Sequence, residues 1–250
     1  MIDLHCHVLP GLDDGAASLA DSLAIARVLV AEGVTVVAAT PHVRSDYPVT
    51  PARMESALEI VREAVADEHI PIEILPGGEV DLDALESMDE ASVRRFALAG
   101  NPRFLLVEFP YVGWPLTLAE RLIGLLESGI TPELAHPERN ADVQAAPHRL
   151  APLVGEGVLI QVTASSLTGT WGRSSNRAAR ELIDGRLAHL LATDTHRPSA
   201  RAQALGVASR ALKDPNLATW LTLDVPTAIV RGSDLPPRPV ARRRRLLPRR

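Results

Sequence analysis

Cys6 is the only cysteine in 250 residues. An internal disulfide is therefore excluded, and a reducing compartment is favoured over an oxidising one. Aromatic residues make up 3% of the chain, so Ala, Val, Leu and Ile must fill whatever core forms. No run of 18 apolar residues occurs, which excludes a membrane-spanning helix, and no signal peptide precedes the apolar start. A soluble cytoplasmic protein is the expectation. Basic charge is also scarce over most of the length: residues 1–237 hold 19 Lys and Arg against 31 Asp and Glu, a balance of −12. Non-specific nucleic-acid binding depends on a basic surface that neutralises phosphates, so nucleic acid is not an expected partner. The missing positive charge sits in residues 238–250, which carry seven arginines and no acid.

What is present is a regular alternation. Hydrophobic residues at 46% and charged residues at 23% allow a sizeable core and argue against global disorder. Short apolar or β-branched runs predict strands over 2–7, 34–40, 72–76, 104–109, 131–135, 158–163 and 189–193. Helical spacing predicts a helix over 18–32, capped by Ser18, with Leu19, Leu23, Ala26, Val30 and Ala31 on one face. A second is predicted over 51–68, with Thr50 as cap and Pro51 in the first turn. Further helices fit 116–128, 147–156, 174–185 and 199–212, and the less periodic 81–100 suits one or two short ones. Seven strand–helix alternations predict an α/β fold with a parallel sheet and helical crossovers, closed as a barrel or open. No linker divides it. Residues 1–235 are expected to form a single domain, and the Pro- and Arg-rich 236–250 a disordered tail.

Polar residues fall where the strands end. The stretch Asp3-Leu4-His5-Cys6-His7 alternates faces as a strand, so His5 and His7 point one way and Cys6 the other. The loop that follows carries Asp13 and Asp14. Later strands run into His42, Glu79, Glu108, His136 and the pair Asp194 and His196. In a parallel α/β barrel all these ends lie on one rim, where active sites are built. Singly, a histidine after a strand is ordinarily a loop or core residue, and a buried Glu108 could be half of an ion pair. Coincidence at six strand ends outweighs those readings, because charges packed so closely are costly unless cations compensate them. Five histidines and at least four carboxylates exceed what one ion needs and suggest two or three, with Glu79 as a bridge. Mixed imidazole and carboxylate donors suit Mn, Fe, Zn or Co. Clusters of this kind activate water and clamp a phosphoryl group, for which arginine is the natural partner. Arg139, three residues beyond His136, and Arg201, five beyond His196, are the candidates.

These motifs resemble the PHP superfamily, named for polymerase and histidinol phosphatase. Within it they resemble the manganese-dependent tyrosine-protein phosphatases of bacterial capsular and exopolysaccharide loci, the CpsB/CapC type. The residues that carry the resemblance are DLHCHVLPGLDDGA (3–16), ATPHV (39–43), GGEV (77–80), VEFP (107–110), AHPERN (135–140), QVTASSLTG (161–169) and ATDTHRP (192–198), spanning residues 3 to about 201. The resemblance implies a distorted seven-stranded β/α barrel and three divalent ions, Mn above all, with Fe, Zn, Co or Mg as substitutes. One ion would be held by His5, His7, Glu79 and Asp194. A second would be held by Glu79, Glu108 and His136, and the third by Asp14, His42 and His196, with Asp13 competing for the place of Asp14. Arg139 would be the phosphate-contacting catalytic arginine and Arg201 a second one, with Arg197 nearby. The implied substrate is a phosphotyrosine protein, a bacterial tyrosine kinase. Two features depart from the family pattern: Thr195 in place of the usual alanine, and the arginine-rich end.

Other readings stay open at this point. A PHP phosphatase of a small phosphomonoester, such as histidinol phosphate, would share the same ligand set. An amidohydrolase-like enzyme would share His-x-His but commonly needs a lysine, and the one lysine, Lys213, lies after all the strands. A regulator with a purely structural metal centre is a third. A cysteine-based phosphatase is excluded by spacing, since Cys-x5-Arg would require arginine at position 12, where Leu12 stands. The basic tail is a solubilising end or a weak contact for an anionic membrane or an acidic partner segment. Oligomeric state leaves no mark in the sequence.

Overall fold

The β-branched and apolar runs pair with one another in parallel throughout. The computed structural model of the chain describes residues 1–198 and 205–240. Among the described residues the strands are β1 (Ile2–Cys6), β2 (Val36–Ala39), β3 (His42–Val43), β4 (Glu73–Leu75), β5 (Glu79–Asp81), β6 (Phe104–Glu108), β7 (Thr131–Leu134), β8 (Leu159–Thr163) and β9 (Leu190–Ala192). They form two sheets, ordered β1–β2–β4 and β3–β5–β6–β7–β8–β9. Backbone hydrogen bonds from Asp194 N to His5 O (2.8 Å) and from His7 N to Thr195 O (3.0 Å) join β1 to the chain leaving β9. The result is a mixed α/β fold built on a curled parallel sheet, with helices in the crossovers.

The strands expected over 34–40 and 72–76 are each followed, beyond a proline, by a second short strand that was not expected. Pro41 separates β2 from β3, and Pro76 separates β4 from β5. Proline has no N–H to give to a ladder, so pairing stops there. Each segment then changes sheet. The switch makes His42 and Glu79 direct register partners, and Glu79 N donates to Pro41 O at 3.0 Å. Gly78 makes the bend possible, since a Cβ there would lie 2.7 Å from the Phe96 ring.

The two helices for which caps were expected behave as those caps predict. Ser18 accepts from Asp21 N ahead of helix Leu19–Ala31, and Thr50 accepts from Arg53 N ahead of helix Pro51–Asp67, with Pro51 in its first turn. Of the face predicted for the first helix, Ala26 is buried and Leu19, Leu23 and Val30 pack partly buried against the core, while the most buried positions add Ser22, Ile25 and Leu29. Its sequence is apolar on nearly every side, so periodicity could not choose the face; packing does. The helix predicted over 147–156 begins as a tight turn, Pro147–Leu150, before Ala151–Glu156. Of 199–212, the described part is helix Leu205–Ala211, and Arg201 lies outside the described residues. Short helices at Ala141–Ala145 and Pro215–Thr219, capped by Asn140 and Asp214, were not expected.

The run from Pro236, expected to be disordered, is fastened to the fold in its described part. Trp220 Nε1 donates to Pro236 O at 3.0 Å. Arg238 donates to Ala188 O (2.6 Å) and Ile183 O (2.7 Å), and its guanidinium lies 5.1 Å from the Trp220 ring centroid. The last carbonyls of helix Gly172–Asp184 have no partner within the helix, and a guanidinium with five donors satisfies one of them. Residues 241–250 lie outside the described residues.

Candidate metal centre

Because all the strands run parallel, their C-terminal ends share one edge, and six of them deliver a potential ligand there. Glu79, the first residue of β5, is the hub. Its Oε2 lies 3.3 Å from His5 Nε2, 3.4 Å from His7 Nε2 and 2.9 Å from His42 Nδ1, and its Oε1 lies 2.9 Å from His136 Nε2. Asp194 Oδ1 is 3.3 Å from His5 Nε2 and 3.2 Å from His7 Nε2. Asp14 Oδ1 is 3.6 Å from His42 Nε2 and 3.3 Å from His196 Nε2. Glu108, the last residue of β6, places Oε2 3.4 Å from His42 Nδ1 and Oε1 3.9 Å from His136 Nε2. All nine residues expected from the sequence as ligands thus come together, in overlapping groups with donor atoms within 4.8 Å of one another. Two details differ from the expected grouping: Glu108 lies closer to His42 than to His136, and His7 joins Asp14, His42 and His196.

His136 Nε2 and Glu79 Oε1 are within hydrogen-bond geometry, but several of the other close donors are not satisfied by one another, and that is the test of whether a cation fits. His42 Nδ1, Glu79 Oε2 and Asp194 Oδ1 are buried and have no hydrogen-bond partner among the described residues. The Nε2 atoms of His5 and His7 face one another at 3.2 Å. Two ligands bound about 2.0–2.2 Å from a common ion stand about 3.0–3.4 Å apart. The separations around Glu79 and Asp194 fall in or near that range, so the donor set suits divalent cations.

Further residues fix the donors. His7 Nδ1 donates to Asp13 Oδ2 at 2.7 Å, which leaves Nε2 for a ligand. The choice between Asp13 and Asp14 is therefore visible: Asp14 joins the cluster, and Asp13 orients His7 while accepting from His42 N and Gly15 N, each at 2.9 Å. Gly15 is required there, because a Cβ would lie 2.4 Å from His7 Cβ and His7 O. Gln161 Oε1, on β8, accepts from His5 Nδ1 (3.1 Å) and His136 N (3.3 Å). Asp3 accepts from Thr193 N at 3.0 Å and ties β1 to the segment carrying Asp194. His136 and Asp194 both adopt positive φ, 32° and 53°, a conformation that costs a non-glycine residue about 1–3 kcal/mol and that turns each side chain off its strand.

The charges support one another. Burial alone would raise the carboxyl pKa of Glu79 and Asp194, but His5 and His42 around Glu79, and His5 and Arg139 around Asp194, hold both well below the ordinary range. Burial would lower the imidazoles. Glu79 and Asp194 reverse this for His5, which is raised. Asp13 holds His7 well above its usual value, and Glu79 with Glu108 brings His42 to about 10. Burial would also raise Asp13, but His7 brings it down to about 2. His196 is the exception, lowered by burial and by the nearby His7. Cys6 is fully buried, and burial pushes its thiol pKa well up, so it supplies no thiolate.

Arg139 reaches the same mouth. Its Nη2 is 2.6 Å from Asp194 Oδ2, and its guanidinium lies over the Trp171 ring at 4.2 Å. Glu138, between His136 and Arg139, is buried and accepts from Thr163 N (3.0 Å) and Ser166 Oγ (2.7 Å), clamping the loop onto the end of β8. Arg197 is exposed and makes no contact with the cluster among the described residues. Sequence reasoning missed Asp3, Gln161, Glu138 and Arg44, whose Nη1 is 3.4 Å from Glu108 Oε2. Asp3 was findable, since it shares the period-2 face of His5 and His7. Gln161 and Glu138 lie inside motifs already noted, as polar residues at positions that should be buried. Nothing in the local pattern marks Arg44.

The family model described as "Capsular polysaccharide synthesis, CpsB/CapC" matches residues 1–219. Tyrosine-protein phosphatase YwqE of Bacillus subtilis (strain 168) is 34% identical over 202 residues, covering 80% of this chain and 79% of the relative. Tyrosine-protein phosphatase CpsB of Streptococcus pneumoniae is 27% identical over 212 residues, covering 80% of this chain and 85% of the relative. A solved chain from the crystal structures of YwqE from Bacillus subtilis and CpsB from Streptococcus pneumoniae, described as metal-dependent tyrosine phosphatases, superposes with a TM-score of 0.84 at 30% identity, covering 97% of this chain and 100% of that one. The beta-aspartyl dipeptidase of Fervidobacterium islandicum AW-1, at 13% identity and a TM-score of 0.56, covering 92% of this chain and 74% of that one, shares the fold alone.

Proposed function

Because this chain belongs to the CpsB/CapC family of capsular polysaccharide synthesis, we propose that it is a metal-dependent protein-tyrosine phosphatase, acting on a bacterial tyrosine kinase that regulates capsule or exopolysaccharide production. The observation that carries the reading is Glu79, whose buried carboxylate is approached by four histidines while its Oε2 accepts no hydrogen bond. The fold is read as a distorted seven-stranded barrel, with β2–β3 and β4–β5 each counted as one strand. Three divalent ions, Mn by preference, would be held by His5, His7, Glu79 and Asp194; by Glu79, Glu108 and His136; and by Asp14, His42 and His196. When bound, such ions lower the pKa of water and neutralise charge on a phosphoryl group.

The chain's own residues do the rest. Arg139 stays cationic, since Asp194 and Glu138 outweigh the effect of its burial. Its guanidinium binds a phosphoryl oxygen and offsets charge that develops on it, a positioning and electrostatic role. Asp194 aims the guanidinium, and Trp171 supports its face. Asp13 and Gln161 keep the Nδ1 protons on His7 and His5, so that each presents Nε2. Burial of Cys6 favours a route without a cysteinyl-phosphate. A departing tyrosine phenolate, with a pKa of about 10, needs less protonation than an alkoxide. Arg201, outside the described residues, is proposed as a second phosphate contact. No described helix is long and apolar enough to cross a membrane, and the cytoplasm is the proposed location. The test is kinetic. With Mn, the protein should hydrolyse p-nitrophenyl phosphate and a phosphotyrosine peptide, and His136→Ala or Arg139→Ala should abolish both reactions; undiminished turnover in those variants removes the site.

A further inference from the structure

The chain has eight aromatic residues, two of them tyrosine. Both tyrosines and one tryptophan stack on residues of the metal centre. Tyr47 lies against His42 (5.7 Å between centroids, 12° between planes), Tyr111 against His136 (5.7 Å, 23°), and Trp171 against Arg139. Tyr47 has two close partners, His42 and the Arg44 guanidinium at 5.2 Å from its ring centroid. Tyr111 and Trp171 are different, being 45% and 48% exposed. Among the described residues eight large apolar side chains are exposed, and four of them, Tyr111, Val112, Leu116 and Trp171, lie on the two loops that flank Arg139. Val112 is 79% exposed and Leu116 is 99% exposed. Apolar surface left exposed gains nothing from folding, and clustered apolar exposure marks a contact surface.

The collar is also held in place. Asn140 Nδ2 donates to Pro110 O (2.7 Å) and Gly113 O (2.8 Å), and Ala141 N donates to Tyr111 O (2.9 Å). Trp171 Nε1 donates to Ser165 Oγ at 2.7 Å. The polar ends of both rings are therefore engaged or near a partner, the Tyr111 hydroxyl lying beside the Arg139 guanidinium, while ring surface stays open. Platforms fixed before binding lose little entropy when a ligand arrives. The ring of an aryl phosphate is one ester oxygen from phosphorus, so a phosphoryl group that meets Arg139 keeps its ring close to that guanidinium, where Tyr111 and Trp171 are the aromatic neighbours.

We propose that Tyr111 is the wall of a subsite for the aromatic leaving group, extended by Val112 and Leu116 for an apolar residue next to the phosphotyrosine, and that this collar selects aryl over alkyl phosphomonoesters. The proposal rests on the phosphatase reading above. Trp171 is set aside as a probe because its ring stacks directly on Arg139, whereas the contact of Tyr111 with Arg139 is through its hydroxyl, which Tyr111→Phe removes separately from the ring. The experiment uses the full chain with Mn and compares Tyr111→Ala, Tyr111→Phe and the double variant Val112→Ser, Leu116→Ser. Three quantities are read: KM for a phosphotyrosine peptide with apolar neighbours, kcat/KM for the matching phosphoserine peptide, and Ki for inorganic phosphate. Tyr111→Ala should raise the phosphotyrosine KM about tenfold, the loss of one stacked ring. It should leave Ki for phosphate within about twofold and reduce the preference for aryl over alkyl. Tyr111→Phe should restore KM. The double variant should raise KM for the peptide and leave that for p-nitrophenyl phosphate unchanged. An unchanged KM in Tyr111→Ala overturns the subsite, as does a KM that rises in step with Ki, which would mean that Tyr111 acts only through Arg139. Wild-type protein that turns over no phosphotyrosine overturns the phosphatase reading itself, and the subsite with it, before any variant is compared.

Discussion

Filling the centre with metal should expel protons, and the structure says how many. Without metal, His5, His7 and His42 are raised above the usual imidazole value by the carboxylates around them, His42 to about 10. At pH 7 His7 and His42 carry protons that metal ligation must displace, because only the neutral ring binds, while His5, whose Nε2 faces that of His7 at 3.2 Å, shares the proton between them. Glu79 and Asp194 are already ionised and His196, lowered, is already neutral, so they add nothing. The expected release is about two protons per chain at saturation. Each released proton makes affinity rise with pH by about 1.4 kcal/mol per unit, so the summed binding free energy should strengthen by about 3 kcal/mol per unit near neutrality. Titration calorimetry with Mn in buffers of different ionisation enthalpy measures the number directly as a slope. Asp13→Asn removes the carboxylate that does most to raise His7, and should cut the release by about one. A slope near zero, or proton uptake, would refute the electrostatic picture of the cluster.

Further outcomes follow from single contacts. Gly15→Ala puts a Cβ where His7 Cβ and O stand and should strip metal from the site, read as Mn per chain after gel filtration; full occupancy would show that the loop is not needed in this form. Gln161→Leu keeps the volume but removes the acceptor for His5 Nδ1 and His136 N, and should weaken metal binding about 10–100-fold; an unchanged affinity contradicts the orienting role. Glu133 is buried on β7 with both carboxylate oxygens unpartnered among the described residues, and burial pushes its carboxyl up to about 8. The folded state then holds a proton that the unfolded chain releases near pH 4.3, so its stabilising share is complete below that value and fades as pH climbs through 8. Glu133→Gln should flatten the fall in Tm of chelated protein between pH 5 and 9, and a fall parallel to wild type would refute this.

Much of the centre was legible because ligands on parallel strands must sit at the strand ends, and residues just past short apolar runs are easy to find. His42 and Glu79 were located even though the chain breaks before each of them. What was missed is the short strand beyond each proline, β3 after Pro41 and β5 after Pro76, where the missing N–H obliges the segment to change sheet. The grouping within the cluster was less legible, because the side of Glu108 that faces His42 is set by register across three strands. The loop at 13–14 gave two acids and no means of choosing, since the choice depends on Gly15 letting the backbone fold against His7. The exposed collar at 110–116 carries no periodic signal, and its meaning appears only when Arg139 is seen between Tyr111 and Trp171. The anchoring of Arg238 was hidden for a similar reason, because composition marks a basic proline-rich run as unstructured and cannot show a carbonyl waiting at the end of a helix.

The most direct measurement is metal content per chain taken alongside phosphotyrosine turnover, before chelation, after it, and after Mn is restored. The centre described here requires bound divalent metal and activity to disappear together and return together. Turnover that persists in protein shown by elemental analysis to be free of metal would contradict it.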